Sequence, residues 1–175
     1  AEMGVLSDPY SATMLTPIWG AFVWAVRHWP GRMPPWSVTR AGLAARVLWH
    51  DNQVTKALDA GIEQIAVIGA GYDTRAWRFR RDGVRFFELD HGATQQDKIR
   101  RAPESGPTYV EADLTTHAAG EALLHRGLDA SRPALFILEG VTMYLTEETL
   151  RNQLGELAES SARGRPIHWD FHPPP

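Results

Sequence analysis

Acidic residues recur at the ends of apolar runs in this chain, and a pair of glycines precedes them. Gly69 and Gly71 stand in "AVIGAGYDTRAWRF", residues 66–79, directly after the apolar run Ile65 to Ile68. Glycines there let the backbone pass close beneath a ligand, with N–H groups free to point at it. Asp73, Arg75 and Arg78 follow at once, and the loop alone does not separate a ligand floor from a tight turn. A dinucleotide fingerprint would place a third glycine three residues after the second; here that position is Thr74. Glu88 and Asp90 come next, in "FFELDH", with Asp90 21 residues past Gly69. In doubly wound folds an acidic residue at that distance accepts hydrogen bonds from ribose hydroxyls. Asp113, in "EADLT", closes a third run, where a carboxylate can accept from an exocyclic adenine amine while the Leu114 N–H donates to a ring nitrogen. Glu139, in "LEGVTMYL", ends a fourth. A carboxylate there, with no phosphate-binding lysine, suits a cationic ligand head rather than a polyphosphate. Asp90, Asp113 and Glu139 thus read as an acidic pocket with a glycine floor.

The elements that must hold these residues alternate. Apolar runs occur at 65–69, 85–89, 108–112, 134–138 and 166–171, and polar segments with helical spacing lie at about 92–101, 117–126 and 147–161. In the last of these Leu150, Leu154 and Leu157 share one face, and Thr146 ahead of Glu147 and Glu148 supplies a cap and acidic residues at the start. Residues 39–60 read as another helix, closed by Gly61 at the position a C-terminal cap prefers. The pattern predicts an α/β fold: a Rossmann-like parallel sheet covered by helices on both faces. Residues 1–38 read as an N-terminal helical or lid segment, with a helix at about 11–28, and 39–175 as the α/β domain. Together they make one compact unit, a fitting size for 175 residues.

Composition narrows the function. Eighteen basic residues against 21 acidic ones give a net charge of −3, and no basic run is interleaved with aromatics, so no nucleic-acid partner is expected. With no cysteine there is no thiolate nucleophile, disulfide or cysteine metal site, and no metal is expected; the cytoplasm is the default location. The apolar stretch "PIWGAFVWAV" is too short to span a bilayer and reads as a buried or interfacial helix, so no membrane association is expected. Four of the seven tryptophans, Trp19, Trp24, Trp29 and Trp36, lie in the first 36 residues. They either cover one end of the sheet or wall an aromatic acceptor pocket.

"GAGYDTRAWRF", "FELDH", "DL" and "EGVTMYLTEE", in that order, resemble the leucine carboxyl methyltransferase family of class I S-adenosylmethionine-dependent methyltransferases. That group includes protein carboxyl methyltransferases and bacterial relatives that methylate polyketide-type small molecules. The resemblance runs from about Ala44 to Phe171. It implies S-adenosylmethionine as cofactor, with Gly69 and Gly71 under its methionine part and Asp90 on the ribose. It puts Asp113 and Leu114 at the adenine and Glu139 near the amino end. "AAR" at 44–46 is similar to the family's helix before the first strand, which makes Arg46 a ligand of the cofactor carboxylate. Family members continue past the fifth strand with helices and a final strand pair, whereas this sequence ends in "HPPP".

The expected reaction is O-methylation of a carboxylate or hydroxyl on a small, aromatic or polyketide-like acceptor, as in natural product biosynthesis. A carboxylate acceptor needs mainly in-line positioning, whereas a phenol or enol also needs a base. His91, His168 and His172 are the candidate bases, Tyr144 is the foremost acceptor-lining residue and a weak catalytic candidate, and Trp19 and Trp24 are further lining candidates. Two alternatives stay open: a cofactor-binding protein with a non-methylating step such as cyclisation, and a non-catalytic binding protein. The run "PIHWDF" alternates apolar and polar residues and would form an unpaired sheet edge. It is therefore expected to pair with a second copy of the chain, as a homodimer, or with further residues of the native protein.

Overall fold

A computed structural model describes residues 8–11, 13–15, 37–103, 105–162 and 167–169. The elements in order are α1 (Ser37–Asp59), β1 (Gln64–Ile68), α2 (Arg75–Arg78), β2 (Arg85–Asp90), α3 (Gly92–Ile99), β3 (Thr108–Glu111), α4 (Ala119–His125), β4 (Leu135–Leu138), a 3-10 turn (Thr142–Tyr144), α5 (Glu147–Glu159) and β5 (Ile167–Trp169). The five strands form one sheet in the order β3-β2-β1-β4-β5, and every pairing is parallel. The predicted α/β class and strand positions hold.

The sheet is covered on both faces, and the strands show it. All five residues of β1 and all four of β4 are buried, as expected where helices pack on either side of a parallel sheet. Alternate residues then divide between two cores. Ala66, Ile68, Phe87, Leu89, Phe136 and Leu138 pack with Leu123 of α4 and Leu157 of α5. Ile65, Val67, Phe86, Leu135 and Ile137 face the other way, against Val54, Ala57 and Leu58 of α1 and Trp77 of α2.

The helix ends follow the local chemistry. Gly61 takes φ +81° after α1, and the Ile62 N–H returns to the Ala57 carbonyl at 2.9 Å. The Thr146 hydroxyl caps α5 by accepting from the Thr149 N–H at 3.1 Å. Two glutamines inside the fold pin the loops that carry site residues. Gln95 of α3 donates to the carbonyls of Glu88 and Val110, at 2.9 and 2.7 Å, which ties that helix to β2 and β3. Gln153 of α5 donates to the Leu114 and His117 carbonyls and accepts from the Ala119 N–H, so it holds the turn after β3.

The helix expected at about 11–28 is corrected where it is described. Residues 11 and 13–15 form turns. Asp8 accepts from the N–H groups of Tyr10 and Ser11, and this local bonding of a short acidic side chain competes with helix formation. The rest of that helix, with Trp19, Trp24, Trp29 and Trp36, lies outside the described residues, as does His172. β5 pairs with β4, Phe136 facing Ile167 and Leu138 facing Trp169; the other residues of "PIHWDF" are outside the description. Among the described residues no helix is long and apolar enough to cross a membrane.

Candidate functional site

The strand order turns back at β1, which has β2 on one side and β4 on the other. A crevice opens at such a switch point, outside the C-terminal ends of the strands. Gly69 follows β1 there and Glu139 follows β4. Gly69 adopts φ +67°, and its N–H and that of Ala70 both reach the Leu89 carbonyl of β2, at 2.8 and 3.1 Å. A side chain at Gly69 would collide with Val141, since a Cβ would lie 2.5 Å from a Val141 methyl. Gly71 has φ +48° and donates its N–H to Asp90 at 2.6 Å, while the other Asp90 oxygen accepts from the His91 N–H at 2.7 Å. Asp90 therefore shapes the glycine loop. A carboxylate offers about four acceptor positions, so both oxygens keep a lone pair for a ribose hydroxyl.

A cleft of about 250 Å³ lies above β1, lined by Gly69, Arg46 and Glu139 together with Asp8, Asp73, Arg75 and Arg78. Three predicted residues thus meet, in an arrangement that differs from the acidic pocket expected. Arg46 Nε donates to Glu139 Oε1 at 3.1 Å, and Arg75 Nη2 donates to Glu139 Oε2 at 2.6 Å. Asp8, Asp73 and Glu139 face Arg46, Arg75 and Arg78, so the cleft is charge-balanced. A charge-balanced cleft with a cation and an anion already paired suits a zwitterion better than a simple cation.

Asp113 and Leu114 stand apart from this cleft, beyond the end of β3. Asp113 lies two residues past the strand rather than closing it. The Thr115 hydroxyl and N–H, at 2.7 and 2.8 Å, hold its carboxyl below the usual range and keep it an acceptor. Leu114 is buried, its carbonyl taken by Gln153. The site residues therefore follow the ends of β1, β2, β3 and β4 in a row along the sheet. Along that row stand the glycine loop and the carboxylates of Asp90 and Asp113, acceptors of the kind a nucleoside joined to an amino acid would meet. Donor types and the open approach over Gly69 fit such a group.

The other candidates are more peripheral. His91 caps α3, its Nδ1 accepting from the Ala93 N–H at 3.3 Å. An Nδ1 that accepts puts the proton of the neutral ring on Nε2, so this arrangement leaves no ring nitrogen free to act as a base. Tyr144, in the 3-10 turn after β4, is 77% exposed and Met143 beside it is also exposed. His168 lies in β5. Among the described residues no group of three His, Asp or Glu side chains is placed to hold a metal ion.

Sequence reasoning passed over Asp51, and it noted Asp73, Thr74, Arg75 and Arg78 without giving them a place in the site. Arg75 is 2% exposed. Its Nε donates to Asp51 at 2.8 Å, Nη2 to Glu139, Nη1 to Asp73, and its backbone N–H to Asp73 at 2.7 Å. Burial works against the guanidinium charge, yet Asp73, Glu139 and Asp51 outweigh it and hold Arg75 above its ordinary value. Arg78 takes both oxygens of Asp51, at 2.6 and 3.0 Å. Its Nε donates to the Thr74 hydroxyl, which in turn donates to Asp8 at 2.6 Å. The signal in the sequence was the charge density of "DTRAWR" inside an apolar context; its partner Asp51, 24 residues away from Arg75, carried none, and nothing linked Glu139, 64 residues away, to it.

Comparison with known proteins bears on the family and the fold. The family model of leucine carboxyl methyltransferase matches residues 2–158, starting earlier and stopping sooner than the motif resemblance. A protein of Parafrankia sp., provisionally named an S-adenosyl-L-methionine-dependent methyltransferase, is 33% identical over 131 residues, covering 71% of this chain and 42% of that protein. A similarly named protein of Mycolicibacterium paratuberculosis is 30% identical over 177 residues, covering 92% of this chain and 56% of that one. The chain thus spans about half the length of the curated relatives it matches. Among solved structures, magnesium protoporphyrin IX methyltransferase from Synechocystis PCC 6803 with bound SAM superposes with a TM-score of 0.53. It is 14% identical, over 84% of this chain and 69% of that one, a likeness of fold. The match over most of its length, with the glycine loop and the strand-end carboxylates in family order, means that the chain belongs to the leucine carboxyl methyltransferase family.

Proposed function

We propose that this chain carries the S-adenosylmethionine site of a methyltransferase that transfers to a carboxylate or hydroxyl of a small acceptor. The observation that carries the reading is the Arg46–Glu139 pair facing the glycine loop at the switch point. A free amino-acid end brings a carboxylate for Arg46 and an ammonium for Glu139, and charge-assisted bonds of this kind are among the strong ones. Asp90 takes the ribose hydroxyls, and Asp113 with the Leu114 N–H takes the adenine edge. When bound, the cofactor supplies a sulfonium methyl group, which an oxygen nucleophile attacks in line. The chain's part is to hold the acceptor at the correct distance and keep water out, the contribution that orientation makes to rate. The exposed Tyr144 and Met143 stand beyond the end of β4, beside that approach, and favour a planar, aromatic or polyketide-like acceptor.

Asp90→Asn is expected to weaken S-adenosylhomocysteine binding by roughly 1.5–3 kcal/mol, the scale of hydrogen bonds to a charged group. The asparagine keeps one acceptor oxygen for the glycine loop, so the fold should persist. Calorimetry on the folded variant checks it, and unchanged affinity contradicts the ribose assignment. The reaction itself is tested with labelled S-adenosylmethionine against small aromatic carboxylic acids and phenols. Label on the acceptor supports methyl transfer; binding without transfer points instead to a non-methylating step on the same cofactor.

A further inference from the structure

We infer that Arg75 is a positioning residue for the amino-acid end of the bound nucleoside, an assignment that rests on the reading just given. Only 2% of Arg75 is exposed, and each arm of its guanidinium is occupied, so it acts through its neighbours. It sits in α2, directly after the glycine loop. Its planar fork gathers three carboxylates from three separate places: Asp51 of α1, Asp73 of the loop and Glu139 after β4. A guanidinium can hold such a set because its donors diverge in fixed directions, whereas an ammonium is a compact point charge without that geometry.

The consequence falls on Glu139. With Oε2 held by Arg75 at 2.6 Å, the orientation of Oε1 is set, and Oε1 meets Arg46 at 3.1 Å. Arg46 is the more accessible partner, with about a quarter of its side chain exposed against 2% for Arg75. An arriving zwitterion can therefore exchange with the Arg46 contact while the Arg75 contact stays in place. One ion pair becomes two, the ligand ammonium on Glu139 and the ligand carboxylate on Arg46. The carboxylate is oriented before the ligand arrives, which lowers the ordering cost of binding. Asp73 in the loop is fixed by the same cation, so the glycine floor and the ammonium receptor are set relative to one another.

The test compares two ligands on wild type and Arg75→Lys by titration calorimetry. S-adenosylhomocysteine carries the amino-acid end and 5′-methylthioadenosine lacks it. Lysine keeps the charge but cannot hold three carboxylates, so S-adenosylhomocysteine affinity should fall at least tenfold while methylthioadenosine stays within about twofold of wild type. Equal loss for both ligands, or loss for neither, overturns the assignment. If the variant does not fold, the guanidinium NMR signals of the wild-type protein decide the matter. Arg75 signals should stay in place when S-adenosylhomocysteine is added while those of Arg46 move; Arg75 moving as far as Arg46 overturns the assignment. Wild-type protein that binds neither ligand overturns the underlying reading and this assignment with it. Binding with an unselective loss in the variant overturns the assignment alone.

Discussion

Gly69→Ala is expected to be among the most damaging single changes in the chain. Two separate costs meet at that position. The backbone has φ +67°, where an L side chain crowds the following carbonyl at a cost of about 1–2 kcal/mol. The new Cβ would also lie 2.5 Å from Val141 Cγ2 and 2.7 Å from Val141 Cβ, and overpacking of this kind costs about 1–3 kcal/mol. The sum, about 2–5 kcal/mol, is a large share of the stability of a domain this size. Denaturant unfolding of the variant gives the number. A double variant with Val141→Gly, which removes both of those atoms, should recover the steric part when measured against the Val141→Gly single variant and leave the backbone part, so the cycle separates the causes. Full recovery would mean that the left-handed conformation costs nothing there, and no recovery would mean that Val141 is not the obstacle.

The second large effect belongs to the pair Glu88–Lys98. Both side chains are 1% exposed and their ends meet at 2.5 Å, between β2 and α3. Glu88 Oε1 has no further partner among the described residues. Lys98→Met would leave both carboxyl oxygens without a donor, at a cost of about 1–3 kcal/mol for an unsatisfied buried group. Replacing both, with Glu88→Leu and Lys98→Met, should return stability to about the wild-type level or above it. Burial pushes the Glu88 carboxyl up, to about 8, against the pull of Lys98. A raised carboxyl stabilises the fold below its unfolded value of about 4.3 and loses that contribution as pH rises through about 8. The double variant lacks the group, so its stability relative to wild type should climb between pH 5 and pH 8. A difference that stays flat with pH, or a single variant as stable as the double, contradicts this account of the pair.

How far the sequence could be read depends on the range of the interactions. The strands were legible because β1 from Ile65 onward and all of β4 are buried on both faces and apolar. Gly61 and the Thr146 cap were legible because their partners lie within a few residues. Gly69, Asp90 and Glu139 were legible as strand-end residues, because the sheet brings successive strand ends to one side. The pairing of Glu139 with Arg46 was not, since 93 residues separate them and only the fold joins them. The same holds for Asp51, which looks like any polar position in a helix until Arg75 and Arg78 close on it. Hence the pocket read as acidic: the carboxylates fell at strand ends, whereas the balance of charge came from the pairing of Arg46 and Arg75 with Glu139, which only the fold makes. The helix expected from residue 11 failed at its described start because Asp8 bonds to its own turn.

Titration calorimetry of this chain with S-adenosylhomocysteine and, separately, with NAD tests the central claim most directly. The charge-balanced cleft over Gly69 and the threonine at the third glycine position predict saturable, one-to-one binding of S-adenosylhomocysteine that is tighter than any binding of NAD. Binding of NAD more tightly than S-adenosylhomocysteine, or no saturable binding of S-adenosylhomocysteine by the folded chain, would contradict it.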